Sequence, residues 1–187
     1  MDKALIVKGS ILDIARGGDT ALAMLDAKIV LICDRSSSML EKDAFQRKAR
    51  FEVEDGIVKR LQAKYPGQIV LLSFNDWATM CLDGNLPSPF GSTNMAAALE
   101  RAKPLVGAGL RGVLISDGEP DSEQSVFVAA TNFKGKLDVV YVGPEGAPGQ
   151  MLLQRLAQIV NGSFDVNDLK KPELLEERLT RLLLKAG

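Results

Sequence analysis

The sequence predicts an α/β fold: a doubly wound, mostly parallel sheet with one short antiparallel edge strand and helices on both faces. Three observations carry this expectation. From residue 28 onward, short continuous apolar runs alternate with longer segments of helical period, the pattern of strands covered on both faces. One pair of apolar runs is joined by too few residues for a helical crossover, so that pair must be antiparallel. The chain has 187 residues, 46% of them hydrophobic and 25% charged, which suits one well-buried core and leaves little room for two ordinary domains.

The elements follow in order. In residues 1–27, Leu5, Ile6, Ile11, Ile14 and the stretch Ala21 to Leu25 suggest one or two short helices, broken at Gly17-Gly18 and packed on the domain. Ile29 to Cys33 reads as the first strand. Phe45, Ala49, Val53, Ile57, Leu61 and Tyr65 recur every four residues and mark an amphipathic helix. The strand Ile69 to Phe74 runs through Asn75-Asp76 straight into Trp77 to Cys81, where only a hairpin fits, and the added strand blunts the sheet edge. Met95, Ala98, Leu99, Ala102, Leu105 and Val106 form one helical face, and Val113 to Ile115 is the next strand. A helix should open at Asp121 or Ser122, after Pro120, with Gln124 placed to complete a capping box on Asp121. Val139 to Val142 is the last central strand. Leu152, Leu156 and Ile159 mark a helix closed by Asn161-Gly162, and Leu175, Leu179, Leu182 and Leu183, entered through Pro172, mark the final one.

Composition removes several classes of function. The net charge of -1, with basic and acidic residues interleaved, supplies no field for nucleic acid, and no nucleic-acid partner is expected. No segment approaches the roughly 20 apolar residues of a membrane span, and the N-terminal apolar run is too short for a signal peptide. Cys33 and Cys81 both sit in apolar stretches, as buried thiols of a reducing compartment do, so the cytoplasm is the expected location. The chain has no histidine, which rules out Ser-His and Cys-His nucleophile pairs and His-ligated zinc.

Doubly wound sheets bind ligands beyond the carboxyl ends of their strands. After the first strand comes Asp34-Arg35-Ser36-Ser37-Ser38-Met39, whose Asp-x-Ser-x-Ser spacing puts one carboxylate and two hydroxyls on a single turn. After the strand ending at Ile115 comes Ser116-Asp117-Gly118-Glu119, a second acid at the same edge, and Gly91-Ser92-Thr93-Asn94 opens the intervening helix with a further hydroxyl. Oxygen donors without nitrogen or sulfur select Mg2+, Mn2+ or Ca2+, and hydroxyls with retained waters favour the smaller ions. Taken singly, Asp34, Ser36 and Thr93 also suit helix caps. Arg35 reads as a solvated loop residue, and Glu119 and Asp121 read as acids favoured near a helix start.

This set resembles the metal-ion-dependent adhesion site of the von Willebrand factor A family, whose pattern of Asp-x-Ser-x-Ser, then Thr, then Asp maps onto Asp34, Ser36, Ser38, Thr93 and Asp117. Gly-Ser-Thr-Asn-Met, Ile-Ser-Asp-Gly-Glu-Pro and the Phe-Asn-Asp hairpin extend the likeness over roughly residues 28–165. Many members carry Gly where this chain has Ser37, a departure expected to have a modest effect. The resemblance implies a von Willebrand factor A-like domain over residues 28–187, preceded by the packed extension of residues 1–27. It implies that the Ser36 and Ser38 hydroxyls bind metal directly, Thr93 in some states, and Asp34 and Asp117 directly or through water. A cation held largely by neutral oxygens keeps its electrophilic character and favours an incoming carboxylate.

The leading expectation is therefore a non-enzymatic binding module in which Mg2+ captures an Asp or Glu of a protein partner, and the resemblance implies a partner within an ATPase-containing or larger assembly. The alternative is a Mg2+-dependent phosphate-ester hydrolase or phosphotransferase. Against it, the chain lacks an Asp-x-Asp pair, a Walker-type loop and a lysine at a late strand end. A site that holds metal for structure alone is the third possibility.

Overall fold

The computed structural model describes residues 6–167 and 169–186, so Leu5 lies outside the described residues. The strands are β1 (Ile29–Asp34), β2 (Ile69–Phe74), β3 (Ala78–Met80), β4 (Arg111–Ser116), β5 (Leu137–Tyr141) and β6 (Phe164–Val166). They form one sheet in the order β3-β2-β1-β4-β5-β6, parallel throughout except for the antiparallel β2-β3 hairpin at one edge. The helices are α1 (Ile11–Ala15), α2 (Thr20–Ala23), α3 (Arg50–Lys64), α4 (Met95–Gly107), α5 (Glu123–Thr131), α6 (Pro148–Ile159) and α7 (Pro172–Lys185). The doubly wound α/β architecture is the one expected.

Two cores sandwich the sheet. Val30 and Ile32 of β1 pack with Ala98, Leu99, Val126, Leu153 and Leu156 from α4, α5 and α6. The alternate residues Ile29, Leu31 and Cys33 pack with Val53, Ile57, Leu61, Leu175, Leu179 and Leu182 from α3 and α7. Because both faces are covered, β1 and β2 are buried at every position, which is why they read as unbroken apolar runs rather than as an alternation. Cys33 and Cys81 are buried free thiols. Among the described residues, no helix is long and apolar enough to cross a membrane.

Two expectations are corrected, and one strand is added. α3 begins at Arg50, not near Phe45, because Gln46 and Arg47 adopt left-handed φ values of 57° and 58° that end the helical period. α5 opens at Ser122, one of the two expected positions, with its Oγ accepting the Ser125 N–H at 3.2 Å; the capping box expected on Asp121 is not formed, because Asp121 is engaged elsewhere. β6 had no counterpart in the sequence reading. It is a three-residue edge strand, only partly buried, and Phe164-Asp165-Val166 has no apolar run to betray it.

In the N-terminal segment, α1 and α2 flank Gly17-Gly18, and Ile11 is buried in the same core as α4. Backbone bonds from Leu12 N–H to the Leu82 carbonyl (3.0 Å) and from Gly67 N–H to the Gly9 carbonyl (2.9 Å) tie this segment to the body of the fold.

Candidate metal site at the carboxyl edge of the sheet

From β1 the chain passes to β2 on one side and, after α4, to β4 on the other, so the crevice between the ends of β1 and β4 is the topological switch point. Asp34 closes β1 and Asp117 follows β4, which places both acids at that crevice. Asp34 is fully buried. Its Oδ1 accepts the Ser36 N–H at 2.8 Å and its Oδ2 accepts the Ser116 hydroxyl at 2.6 Å. Burial, followed by the charge of Asp117, pushes the Asp34 carboxyl up to about 6, against the lowering effect of those hydrogen bonds. The Ser116 Oγ also accepts the Gly118 N–H at 2.9 Å, so one unforeseen hydroxyl links the two acid-bearing segments.

The Ser36 and Ser38 hydroxyl oxygens lie 3.0 Å apart. Thr93 is buried, and its N–H donates to Asp121 Oδ1 at 2.9 Å. Asp117 is 5% exposed; its Oδ2 accepts from Arg50 Nη1 at 2.8 Å, while its Oδ1 is buried without a partner.

Helix capping does not account for these residues. Asn94 caps α4, its Oδ1 accepting the Ala97 N–H at 3.1 Å, which leaves Thr93 outside that role. Ser36 precedes only a single 3-10 turn (Ser37–Leu40) and makes no side-chain cap bond.

The donor set suits a hard divalent ion. The Ser36 and Ser38 hydroxyls, hydrogen-bonded to each other at 3.0 Å, are close enough to serve as neighbouring ligands of one ion, since adjacent oxygens on an octahedral Mg2+ at about 2.1 Å lie about 3.0 Å apart. An orphaned buried oxygen such as Asp117 Oδ1 costs about 1–3 kcal/mol unless something fills its shell. Among the described residues no three His, Cys, Asp or Glu side chains gather as a metal cluster; here there are two carboxylates, and the other candidate donors are hydroxyls.

The loops are cross-linked by residues whose spacing in the sequence does not announce that role. Ser37, noted as a departure, donates its hydroxyl to the Gly91 carbonyl at 2.9 Å and so staples the Asp34 loop to the Thr93 loop. Asp121 accepts the Thr93 N–H with Oδ1, and its Oδ2 (2.8 Å) and Asp76 Oδ1 (2.7 Å) share the single proton of the Ser92 hydroxyl. Asp121 is thus a strut between loops rather than a helix-start acid. Gly118, at φ +85°, lets the Asp117 loop pass α6: a Cβ there would lie 2.4 Å from the Gly149 carbonyl oxygen. Arg35 overturns its reading as a solvated residue. It is 0% exposed and pairs with Asp55 at 2.6 Å and Glu54 at 3.3 Å, acids one helix away that local pattern does not connect to it.

No family model matches the sequence, and no curated protein does. Solved structures do match the fold. A von Willebrand factor type A protein from Catenulispora acidiphila superposes with a TM-score of 0.57 at 15% identity, over 86% of this chain and 43% of that one. Proximal thread matrix protein 1 of the mussel byssus superposes with a TM-score of 0.56 at 17% identity, over 86% and 46%. At such identities the likeness establishes the fold alone, and the fold is von Willebrand factor A-like. The chain spans less than half the length of either protein.

Proposed function

We propose that this chain is a cytoplasmic, divalent-cation-dependent protein-binding module. Asp34, Ser36, Ser38, Thr93 and Asp117 would hold Mg2+, with Mn2+ or Ca2+ as alternatives, and the partner would present an Asp or Glu. The carrying observation is the buried, unpartnered Asp117 oxygen on the sheet edge that also presents the Ser36 and Ser38 hydroxyls. When bound, the cation supplies a Lewis-acidic centre that accepts a carboxylate oxygen.

The chain's own groups do the rest. Ser116 and the Ser36 N–H hold Asp34 in one orientation, while Ser37, Ser92 and Asp121 fix the three loops relative to one another. Beside them, Trp77 (58% exposed) and Phe90 (45% exposed) meet edge to face at 5.6 Å, on segments that run directly into Asn75 and Gly91. Exposed aromatics next to a polar anchor favour a protein partner, since such side chains dominate interface energies. A partner within an ATPase-containing or larger assembly is the kind the family resemblance implies.

Calorimetric titration of chelator-treated protein with Mg2+ and Mn2+ tests the reading. Saturable binding that disappears in Asp34→Ala and Ser38→Ala supports it, and a wild-type chain that binds neither ion removes it. Turnover of a simple phosphate ester that vanishes in Asp34→Ala would instead establish the hydrolase alternative.

A further inference from the structure

Arg50, the first residue of α3, turns back toward the sheet edge and is shared by two acids. Nη1 donates to Asp117 Oδ2 at 2.8 Å, while Nε and Nη2 donate to the two oxygens of Asp43 at 2.9 and 2.6 Å. The Asp117 side chain is 5% exposed and the Asp43 side chain 45% exposed, so a permanent positive charge is divided between a buried site acid and a solvated loop acid. The other oxygen of Asp117 is left without a partner.

We infer that Arg50 is an internal counter-cation that sets how tightly this edge holds a metal, with Asp43 drawing part of its charge away. The inference rests on the cation reading above. A fixed guanidinium on Asp117 cancels part of the negative charge available to a divalent ion in a poorly solvated crevice, where like charges repel strongly. It therefore weakens cation affinity. The same cancellation leaves a bound cation less neutralised by the protein, and so more receptive to a carboxylate from outside. Asp43 acts in the opposite sense, because its bidentate grip competes with Asp117 for the same charge.

The test is Mn2+ affinity by calorimetry for wild type, Arg50→Met and Asp43→Asn, each first checked for cooperative melting in chelator. Arg50→Met should bind Mn2+ about tenfold more tightly or better, and Asp43→Asn should bind it about two- to fivefold more weakly, the range of an exposed ion pair. A residue that merely braces the fold would not move the two variants in opposite directions. Equal or weaker binding by a folded Arg50→Met overturns it while leaving the metal reading standing. If Arg50→Met does not fold, Asp43→Asn decides: weaker binding supports the inference, and unchanged or tighter binding overturns it. No Mn2+ binding by any of the three removes both readings.

Discussion

Asp34 takes its hydrogen bonds from its own sheet edge, whereas Asp117 has one oxygen on a distant arginine and the other on nothing. The loops that carry these acids are braced by small polar contacts, and their worth can be measured. Asp121→Ala removes the acceptors of the Thr93 N–H and the Ser92 hydroxyl; it should cost about 1–2 kcal/mol in urea unfolding and weaken Mn2+ binding by loosening Thr93. Ser37→Gly loses the hydroxyl bond to the Gly91 carbonyl, and an exposed bond of that kind should cost about 0.5–1 kcal/mol in the same assay. The residues of the expected ligand set were legible because Asp-x-Ser-x-Ser is a local spacing and each remaining ligand follows a recognisable strand or opens a recognisable helix. Arg50, Asp121 and Ser116 were not, because their partners lie 67, 28 and 82 residues away, and no periodicity encodes such pairings.

Among the elements, the strands buried on both faces declared themselves as apolar runs, and the hairpin declared itself through the shortness of the Asn75-Asp76 connection. β6 and the start of α3 did not, since the one is short and half-solvated and the other depends on two left-handed residues that no hydrophobic spacing reports. The junction between the Asp117 loop and α6 is the tightest point near the site, with a Cβ on Gly149 falling 2.3 Å from the Asp117 carbonyl oxygen. Gly118→Ala adds a Cβ facing that backbone and imposes a side chain on a positive φ. It should lower the melting temperature by roughly 5 °C or more and weaken Mn2+ binding in step, as Asp117 is displaced.

At the scale of the whole molecule, stability should depend on a buried acid of α3 that pairs with Arg35, the residue between the expected ligands Asp34 and Ser36. Burial pushes Glu54 from an ordinary value of 4.5 up to about 7, against the lowering charge of Arg35. The folded protein thus binds a proton more readily than the unfolded chain at this position. The stabilisation is complete below about pH 4.5 and is lost as pH rises through 7; Asp34, pushed up to about 6, acts in the same sense. Unfolding in urea with chelator present should lose on the order of 2 kcal/mol between pH 5 and pH 8, and Glu54→Gln should flatten that slope. Binding by the folded state should also raise the melting temperature, since a ligand at a hundred times its Kd contributes about 2.7 kcal/mol. The central claim is that the crevice between β1 and β4 holds a divalent cation on hydroxyl and carboxylate oxygens. Its most direct test is the anomalous scattering of crystals grown with Mn2+. The account predicts one peak about 2.1 Å from both Ser36 Oγ and Ser38 Oγ. A crystal with no peak there, or with manganese only on other residues, would contradict it.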